Sequence, residues 1–316
     1  MERDPFQAAP ELRPILIAGA TAVGKSGAAM IVAEALGGEI ISVDSMQVYQ
    51  GMDIGTAKPA AAERARIPHH LLDVAGLDEA FDAAVFVRQA LEAMRGVQAR
   101  GHVPVLCGGT GLYFQALLGG LGNSPEPDTA LRTELEQTPL AALLDELARM
   151  DPPTWEKIDR NNPRRVIRAV EVLRLTGKPF SAQRADWESK GGEPVARHFF
   201  ILVRESADMH QRINLRVDEM FAAGLVAETA GLLGRGLGSN RTAMQAIGYR
   251  QVIEHLRGER DLAGTIELVK IRTRQYAKRQ LTWFKRQRNC DWVRLAPEQS
   301  GGDAASLLLK RMSDPA

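Results

Sequence analysis

Gly19-Ala20-Thr21-Ala22-Val23-Gly24-Lys25-Ser26 fits the pattern G-x-x-x-x-G-K-[ST]. The chemistry this spacing supports is phosphate binding. Its glycines let the backbone fold into a nest of N–H groups facing phosphate oxygens, and a following helix adds partial positive charge at its N-terminus. Lys25 supplies a point charge for the terminal phosphate, and the Ser26 hydroxyl can ligate Mg2+. A chance glycine-rich turn is the bland alternative; an eight-residue fit between a strand and a helix argues against it. A diphosphate or triphosphate is therefore expected here. The loop does not say what becomes of that phosphate. P-loop NTPases usually hold the metal with a second acid on another strand, yet Val103–Cys107 runs into Gly108-Gly109, and Phe199–Val203 runs into Arg204 and then Glu205. The one carboxylate well placed after a strand is Asp44, which could be a metal ligand, a general base or a turn residue.

A second feature lies near the C-terminal end. Between Arg272 and Arg288 there are seven Lys/Arg and no Asp/Glu. At 3.6 residues per turn, Arg272, Arg279 and Arg286 fall nearly on one line with Trp283 beside them, while Ala277, Leu281 and Phe284 take the opposite side. A basic stripe with one indole suits a nucleic-acid backbone and a stacked base. Most charge runs are solvated faces, but the complete lack of acids favours an anionic partner. A weaker basic set, Arg160, Arg164, Arg165 and Arg168, has Glu171 close behind it.

The elements that must position these groups follow from hydrophobic pattern. Ile15–Ala18, Glu39–Val43, Val103–Cys107 and Phe199–Val203 read as buried strands, and Gly27–Leu36 and Phe81–Arg100 as helices, with another helix from about Thr110. Strands alternating with helices predict a parallel α/β sheet of the P-loop NTPase type, with ligands at the carboxyl ends of the strands. Turn-forming clusters at Gly119–Asp128 and Ser189–Pro194 bracket a segment, Thr129 to about Arg184, that is helical in pattern. The organisation expected is an α/β core over 13–121, an inserted all-helical subdomain over 122–197, and a second core part over 198–297. This last part is mostly helical and carries a long helix from Leu262 to about Asn289. Residues 1–12 and 298–316 read as tails.

Composition narrows the setting. The 316 residues are 45% hydrophobic and 25% charged with a formal net charge of +1, so any nucleic-acid case rests on local clusters. Two cysteines, Cys107 and Cys290, do not make a disulfide framework, which points to a reducing cytoplasmic setting. No apolar run approaches the roughly 20 residues that span a bilayer.

Several blocks together resemble the tRNA dimethylallyltransferases, also called isopentenyl-tRNA transferases. They are Ile41–Pro59 (Ile-Ser-Val-Asp-Ser-Met-Gln-Val-Tyr-Gln and onward), His69–Asp73, Gly108–Tyr113, Asn162–Glu171, Gln245–Gln251 and Thr273–Trp283. The resemblance runs in order from about Arg13 to Leu295. It implies transfer of a dimethylallyl group from dimethylallyl diphosphate to N6 of adenosine 37, in tRNAs reading codons that begin with U, with Mg2+ as the metal and diphosphate released. Carried over by motif, Gly19 to Ser26 grip the diphosphate, Arg216 binds pyrophosphate, and Asp44 is the general base. Ser45, Met46 and Gln47 border the adenosine, and Thr110 lies near both substrates. Three further sets match segments that touch tRNA. The first is Arg132 with Arg164, Arg165, Val166, Ile167 and Arg168. The second is Gln245, Ala246, Ile247, Gly248, Tyr249, Arg250 and Gln251. The third is Lys278, Arg279, Gln280, Leu281, Thr282, Trp283, Phe284 and Lys285. Ala20 and Val23 depart from the residues common in the family. No Cys/His zinc-finger extension follows Trp292–Leu295, so a bacterial-type enzyme is expected; a monomer is the default expectation.

The chemistry of the residues agrees with this. An adenine amine is a poor nucleophile, and a nearby carboxylate can take its proton. No water needs activating, which accounts for the missing second acid. A P-loop kinase and a nucleotide-dependent RNA-binding switch are the alternatives; the former leaves the basic helix unexplained. His69 and His70 have no third ligand at a recognisable spacing and read as structural hydrogen-bonding groups. Tyr113, Phe114 and Cys107 read as core. Trp155 and Trp187 could face either core or tRNA.

Overall fold

The computed structural model describes residues 14–120, 125–183, 198–287 and 289–313. Trp187, the Ser189–Pro194 cluster, residues 1–12 and part of the Gly119–Asp128 cluster lie outside them. The chain forms two compact units, one built on Ala9–Ala116 with Glu193–Ala316, the other on Leu117–Gly192.

In the first unit the order is β1 (Ile15–Gly19), α1 (Lys25–Leu36), β2 (Gly38–Val43), α2 (Ala61–Arg66), β3 (His69–His70), α3 (Ala83–Ala99), β4 (Val103–Gly108) and α4 (Gly111–Gly119), the last of which runs on into the second unit. The helical unit continues with α5 (Thr129–Gln137), α6 (Leu140–Met150), α7 (Pro152–Lys157), α8 (Pro163–Thr176) and α9 (Phe180–Gln183). The first unit then resumes with β5 (His198–Arg204), α10 (Ser206–Ala222), α11 (Leu225–Gly234), α12 (Tyr249–Leu256), α13 (Leu262–Phe284), β6 (Asp291–Leu295) and α14 (Gly301–Ser313).

Among the described residues six parallel strands lie in the order β3-β2-β4-β1-β5-β6. β1 is buried at every residue, as a central parallel strand covered on both faces must be. Because all strands run the same way, their carboxyl ends share one edge. In register, Val43 pairs with Gly108, Ala18 with Gly108, and Gly19 with Leu202. The loop, Asp44, Thr110 and Arg204 thus emerge side by side from four separate strands.

Local signals account for the helix ends. Asp82 caps α3 by accepting from Ala84 and Val85 N–H, and Asp261 caps α13 by accepting from Gly264. Asn162 caps α8, Pro163 occupies its first turn, and Gly177 closes it with φ 66°. The helical unit has its own core of Leu135, Leu143, Leu147, Val166, Ala169 and Val170. Trp155 packs against that core, with the Arg160 guanidinium 3.9 Å above its ring.

Two expectations need correction, and one strand was not anticipated. Residues 298–316 are not simply a tail: α14 buries Ala304, Ala305 and Leu308, and Gly301 rests so closely on Gly27 of α1 that a Cβ would stand 3.2 Å from the Gly27 Cα. Asp291–Leu295 is a strand, with Val293 and Leu295 turned to the core; the alternation was present in the sequence but short. The long basic helix stops at Phe284 rather than about Asn289.

Candidate active site

β1 ends in Gly19, where a Cβ would lie 2.7 Å from the Leu202 carbonyl oxygen; no other residue fits so close to the neighbouring strand. The chain then turns through Ala22, whose φ of 66° is left-handed, and Gly24, with φ 104°. For alanine that conformation costs about 1–2 kcal/mol. α1 begins at Lys25 with no side chain capping it, so its first N–H groups face the loop. The Lys25 ammonium donates to the Ala20 carbonyl at 3.3 Å. Burial pulls its pKa below the ordinary lysine value, and the Arg216 charge pulls the same way, while the negative forms of Cys107 and Asp44 oppose them.

Arg216, on α10, has no ion pair or hydrogen bond to a protein group among the described residues, although it is partly buried and lines the same cleft as Lys25 and Ser26. Burial lowers its pKa; Asp44 and Glu219 act in the other direction. A desolvated cation with no direct ion pair to a protein carboxylate among the described residues is a ready anion site. The cleft holds about 820 Å³, and its wall also includes the apolar Ile54, Leu215 and Met220.

Asp44 follows β2. Its Oδ1 accepts the Met46 N–H at 2.8 Å and the Gln47 N–H at 3.2 Å, which fixes the carboxylate and leaves Oδ2 with no protein donor among the described residues. Thr110 follows β4 and accepts the Ser45 N–H at 3.1 Å, joining the two strand-end loops. Gln47 spends its side-chain amide on Ser42, Thr56 and Ala57, so it braces this loop. The Tyr276 phenol of α13 lies near Thr110 and Gln280, and burial, helped by the Asp44 charge, holds its pKa well above the ordinary tyrosine value. It is a neutral hydroxyl beside the carboxylate, and sequence reasoning passed over it.

The loop over Asp53–Lys58 forms another wall of the cleft. Glu228 of α11 accepts N–H bonds from Asp53, Ile54 and Gly55 and the Tyr249 hydroxyl at 2.5 Å. The Lys58 ammonium, fully buried, binds Asp53 at 2.7 Å and Asp73 at 2.6 Å. Two more residues, Arg204 and Gln280, reach the phosphate loop itself. Arg204 donates to the Val23 carbonyl at 2.9 Å, and Gln280 accepts the Thr21 N–H at 2.9 Å. Neither contact leaves a local sequence signal.

Several residues assigned to tRNA contact by resemblance are placed otherwise. Phe284 is fully buried and meets Phe114 edge-on with centroids 6.2 Å apart. Tyr249, Ala246, Gln251 and Gln280 are buried, and Val166 belongs to the helical core. Ile247 packs on the main core, and Gly248, with φ 97°, starts α12, where its N–H donates to Gln251. Trp283 is half-buried against Gly111, where a Cβ would stand 2.2 Å from the indole, so that ring face is spent on packing. Arg132 and Arg168 both bind the buried Glu171 at 2.6 Å, which converts part of the weaker basic set into an internal ion-pair cluster. Lys278, Arg279, Thr282, Lys285, Gln245 and Arg250 are exposed, as are Arg164 and Arg165; Ile167 and Leu281 are half-buried. The basic face of α13 is therefore real, with Arg272 on it and the exposed Arg286 just past its end, although Arg274 is tied to Asn214.

Both histidines bond structurally: the His69 Nδ1–H donates to the Ile67 carbonyl at 2.7 Å, and the His70 Nε2 meets the Glu39 carboxylate at 2.5 Å. No group of three or more His, Cys, Asp or Glu among the described residues is arranged to hold a metal. Cys107 is buried and its thiol is pushed up to about 11, mainly by burial; Tyr113 stacks on Phe86 at 4.3 Å. No helix of the described residues is long and apolar enough to cross a membrane.

A sequence model of the IPP transferase family matches residues 47–287. The chain is 46% identical over 292 residues to a tRNA dimethylallyltransferase 1 of Trichlorobacter lovleyi, covering 91% of this chain and 95% of the relative. It is 44% identical over 291 residues to a tRNA dimethylallyltransferase of Geobacter sulfurreducens, covering 91% and 93%. Among solved structures, the full-length tRNA isopentenylpyrophosphate transferase of Bacillus halodurans superposes with a TM-score of 0.68 at 37% identity, covering 95% of this chain and 97% of that one. A eukaryotic dimethylallyltransferase acting on tRNA gives 0.75 at 28% identity, covering 96% and 80%. The chain belongs to the IPP transferase family.

Proposed function

We propose that this protein transfers a dimethylallyl group from dimethylallyl diphosphate to N6 of adenosine 37, in tRNAs reading codons that begin with U. The observation that carries the reading is the convergence of a phosphate loop, an unpaired cation and an oriented carboxylate on one sheet edge. Lys25, the loop amides and Arg216 hold the diphosphate. The Asp44 Oδ2 stands open for a proton. In the transfer the allylic C1–O bond breaks and a C1–N6 bond forms. The N6 proton passes to Asp44, and pyrophosphate leaves with both electrons of the broken bond. Charge gathers on that pyrophosphate in the transition state, and cations already in place stabilise it without reorganising.

Ser26, with an exposed hydroxyl in the first turn of α1, would contribute the protein's ligand to Mg2+, with diphosphate oxygens supplying others. Bound there, the ion would offset charge on the leaving group. The exposed cations of α13 would hold the tRNA backbone, and their contacts would offset the few kcal/mol needed to unstack a loop base. The protein is expected to act as a monomer in the cytoplasm. A kinase reading finds less support: β4 ends in glycines, and the Arg204 that ends β5 is committed to the Val23 carbonyl.

The test is transfer of label from dimethylallyl diphosphate to unmodified tRNA with adenosine at position 37. No transfer, alongside clear ATP turnover with a small acceptor, would sink the proposal.

A further inference from the structure

The left-handed turn at Ala22 is a strained point in the middle of the phosphate loop, and such strain persists only where the surroundings over-determine it. The peptide groups one residue out on either side, the Thr21 N–H and the Val23 carbonyl, are each gripped by a side chain from far along the chain. Arg204 takes the Val23 carbonyl at 2.9 Å. Gln280 accepts the Thr21 N–H at 2.9 Å, and its Nε2 donates to the Gly109 carbonyl at 2.9 Å. Gln280 is buried, with 7% of its surface exposed, while its helix neighbours Lys278 and Arg279 are exposed. The fit is close: a Cβ on Gly109 would stand 2.4 Å from the Gln280 amide nitrogen. Only a side chain with one acceptor and one donor serves both contacts. Glutamate would set oxygen against the Gly109 carbonyl, and a cation cannot accept from Thr21.

We infer that Gln280 is a positioning residue for the diphosphate donor and not a tRNA contact: by holding Thr21 it keeps the turn at Ala22 in its phosphate-receiving form. The inference rests on the proposed function for the identity of the donor, but its first readout, binding of inorganic pyrophosphate, does not require transfer.

Gln280→Met keeps the length of the side chain and removes both hydrogen bonds. Circular dichroism and a thermal melt establish that the variant is folded; if it is not, Gln280→Leu, which also removes both hydrogen bonds with a shorter side chain, is read in the same way. The expected result is a rise of about tenfold in the Kd for pyrophosphate and in KM for dimethylallyl diphosphate, the size of one or two lost hydrogen bonds. The Kd for unmodified tRNA, measured without donor, should stay within about twofold. Adding Ala22→Gly should recover part of the loss, since glycine takes positive φ without support. Unchanged pyrophosphate affinity, a loss confined to tRNA binding, or no recovery in the double variant would overturn the inference. If the wild-type protein itself transfers no prenyl group, the functional proposal fails instead.

Discussion

Asp44→Asn separates the two things Asp44 does. Asparagine keeps an Oδ1 that accepts the Met46 and Gln47 N–H groups at 2.8 and 3.2 Å, so the turn after β2 should survive. Alanine would lose both bonds, at about 0.5–1.5 kcal/mol each; Asp44→Ala should therefore melt earlier than Asp44→Asn, which should match wild type within about 1 kcal/mol. What asparagine cannot do is accept the N6 proton. General-base catalysis is worth about 10²–10⁴-fold, so kcat for prenyl transfer should fall by that factor, or about 3–5 kcal/mol in barrier. The Asp44 charge also favours the charged forms of Lys25 and Arg216. Removing it leaves the loop no less positive overall, and pyrophosphate affinity should hold or rise slightly. The assay is single-turnover transfer from labelled dimethylallyl diphosphate at saturating tRNA, with calorimetric pyrophosphate binding beside it. A folded Asp44→Asn protein that keeps kcat within tenfold of wild type would remove Asp44 from the base role. A large loss of pyrophosphate binding would mean that the carboxylate shapes the loop instead.

Arg279→Ala should weaken tRNA binding and lower the salt slope by about one, read from Kd across a salt series; an unchanged slope would assign the stripe to solvation. Phe284→Ala, at the fully buried end of α13, should cost about 3–5 kcal/mol in urea unfolding, while Thr282→Ala, on the exposed face, should be nearly neutral. Equal effects would contradict the helix orientation. Glu39 is held at about 2, against an ordinary 4.5, first by Arg100 hydrogen bonds and then, against the cost of burial, by His70 and His102. Its stabilising contribution is thus complete above about 4.5 and disappears as pH falls towards 2. Glu39→Gln should flatten the dependence of stability on pH in that window, as followed by acid titration of the unfolding free energy. An unchanged slope would show that the cluster plays no part in acid unfolding.

Local pattern was enough for whatever depends on neighbours in the chain. The eight residues from Gly19 to Ser26 specify a phosphate loop because backbone freedom, a lysine and a hydroxyl must come at fixed spacing between a strand and a helix. The βαβ alternation specified a parallel sheet, and with it a shared carboxyl edge for Gly19, Asp44 and Thr110. The helical stretch beginning at Thr129 was equally legible, since Asp128 and Asn162 are capping residues and the leucines recur at helical spacing. β6 and α14 were missed because their signals are short: five alternating residues in one, and in the other an apolar stripe of Ala304, Ala305 and Leu308 whose small side chains carry little hydrophobic weight.

Which side a polar residue faces, and what it reaches, was decided by tertiary structure. Gln280 stands among lysines and arginines and reads as part of a solvated or nucleic-acid-facing stripe. Packing of α13 against the sheet turns it inward, onto the phosphate loop 259 positions away. Arg204 reads as a missing acid and proves to be a clamp on Val23. Tyr249 reads as part of a tRNA-contacting block and instead joins Glu228 in bracing the loop at Gly55. In each case a buried polar group needs a partner, and the partner is supplied from a distant segment that only the folded chain brings within 3 Å or so.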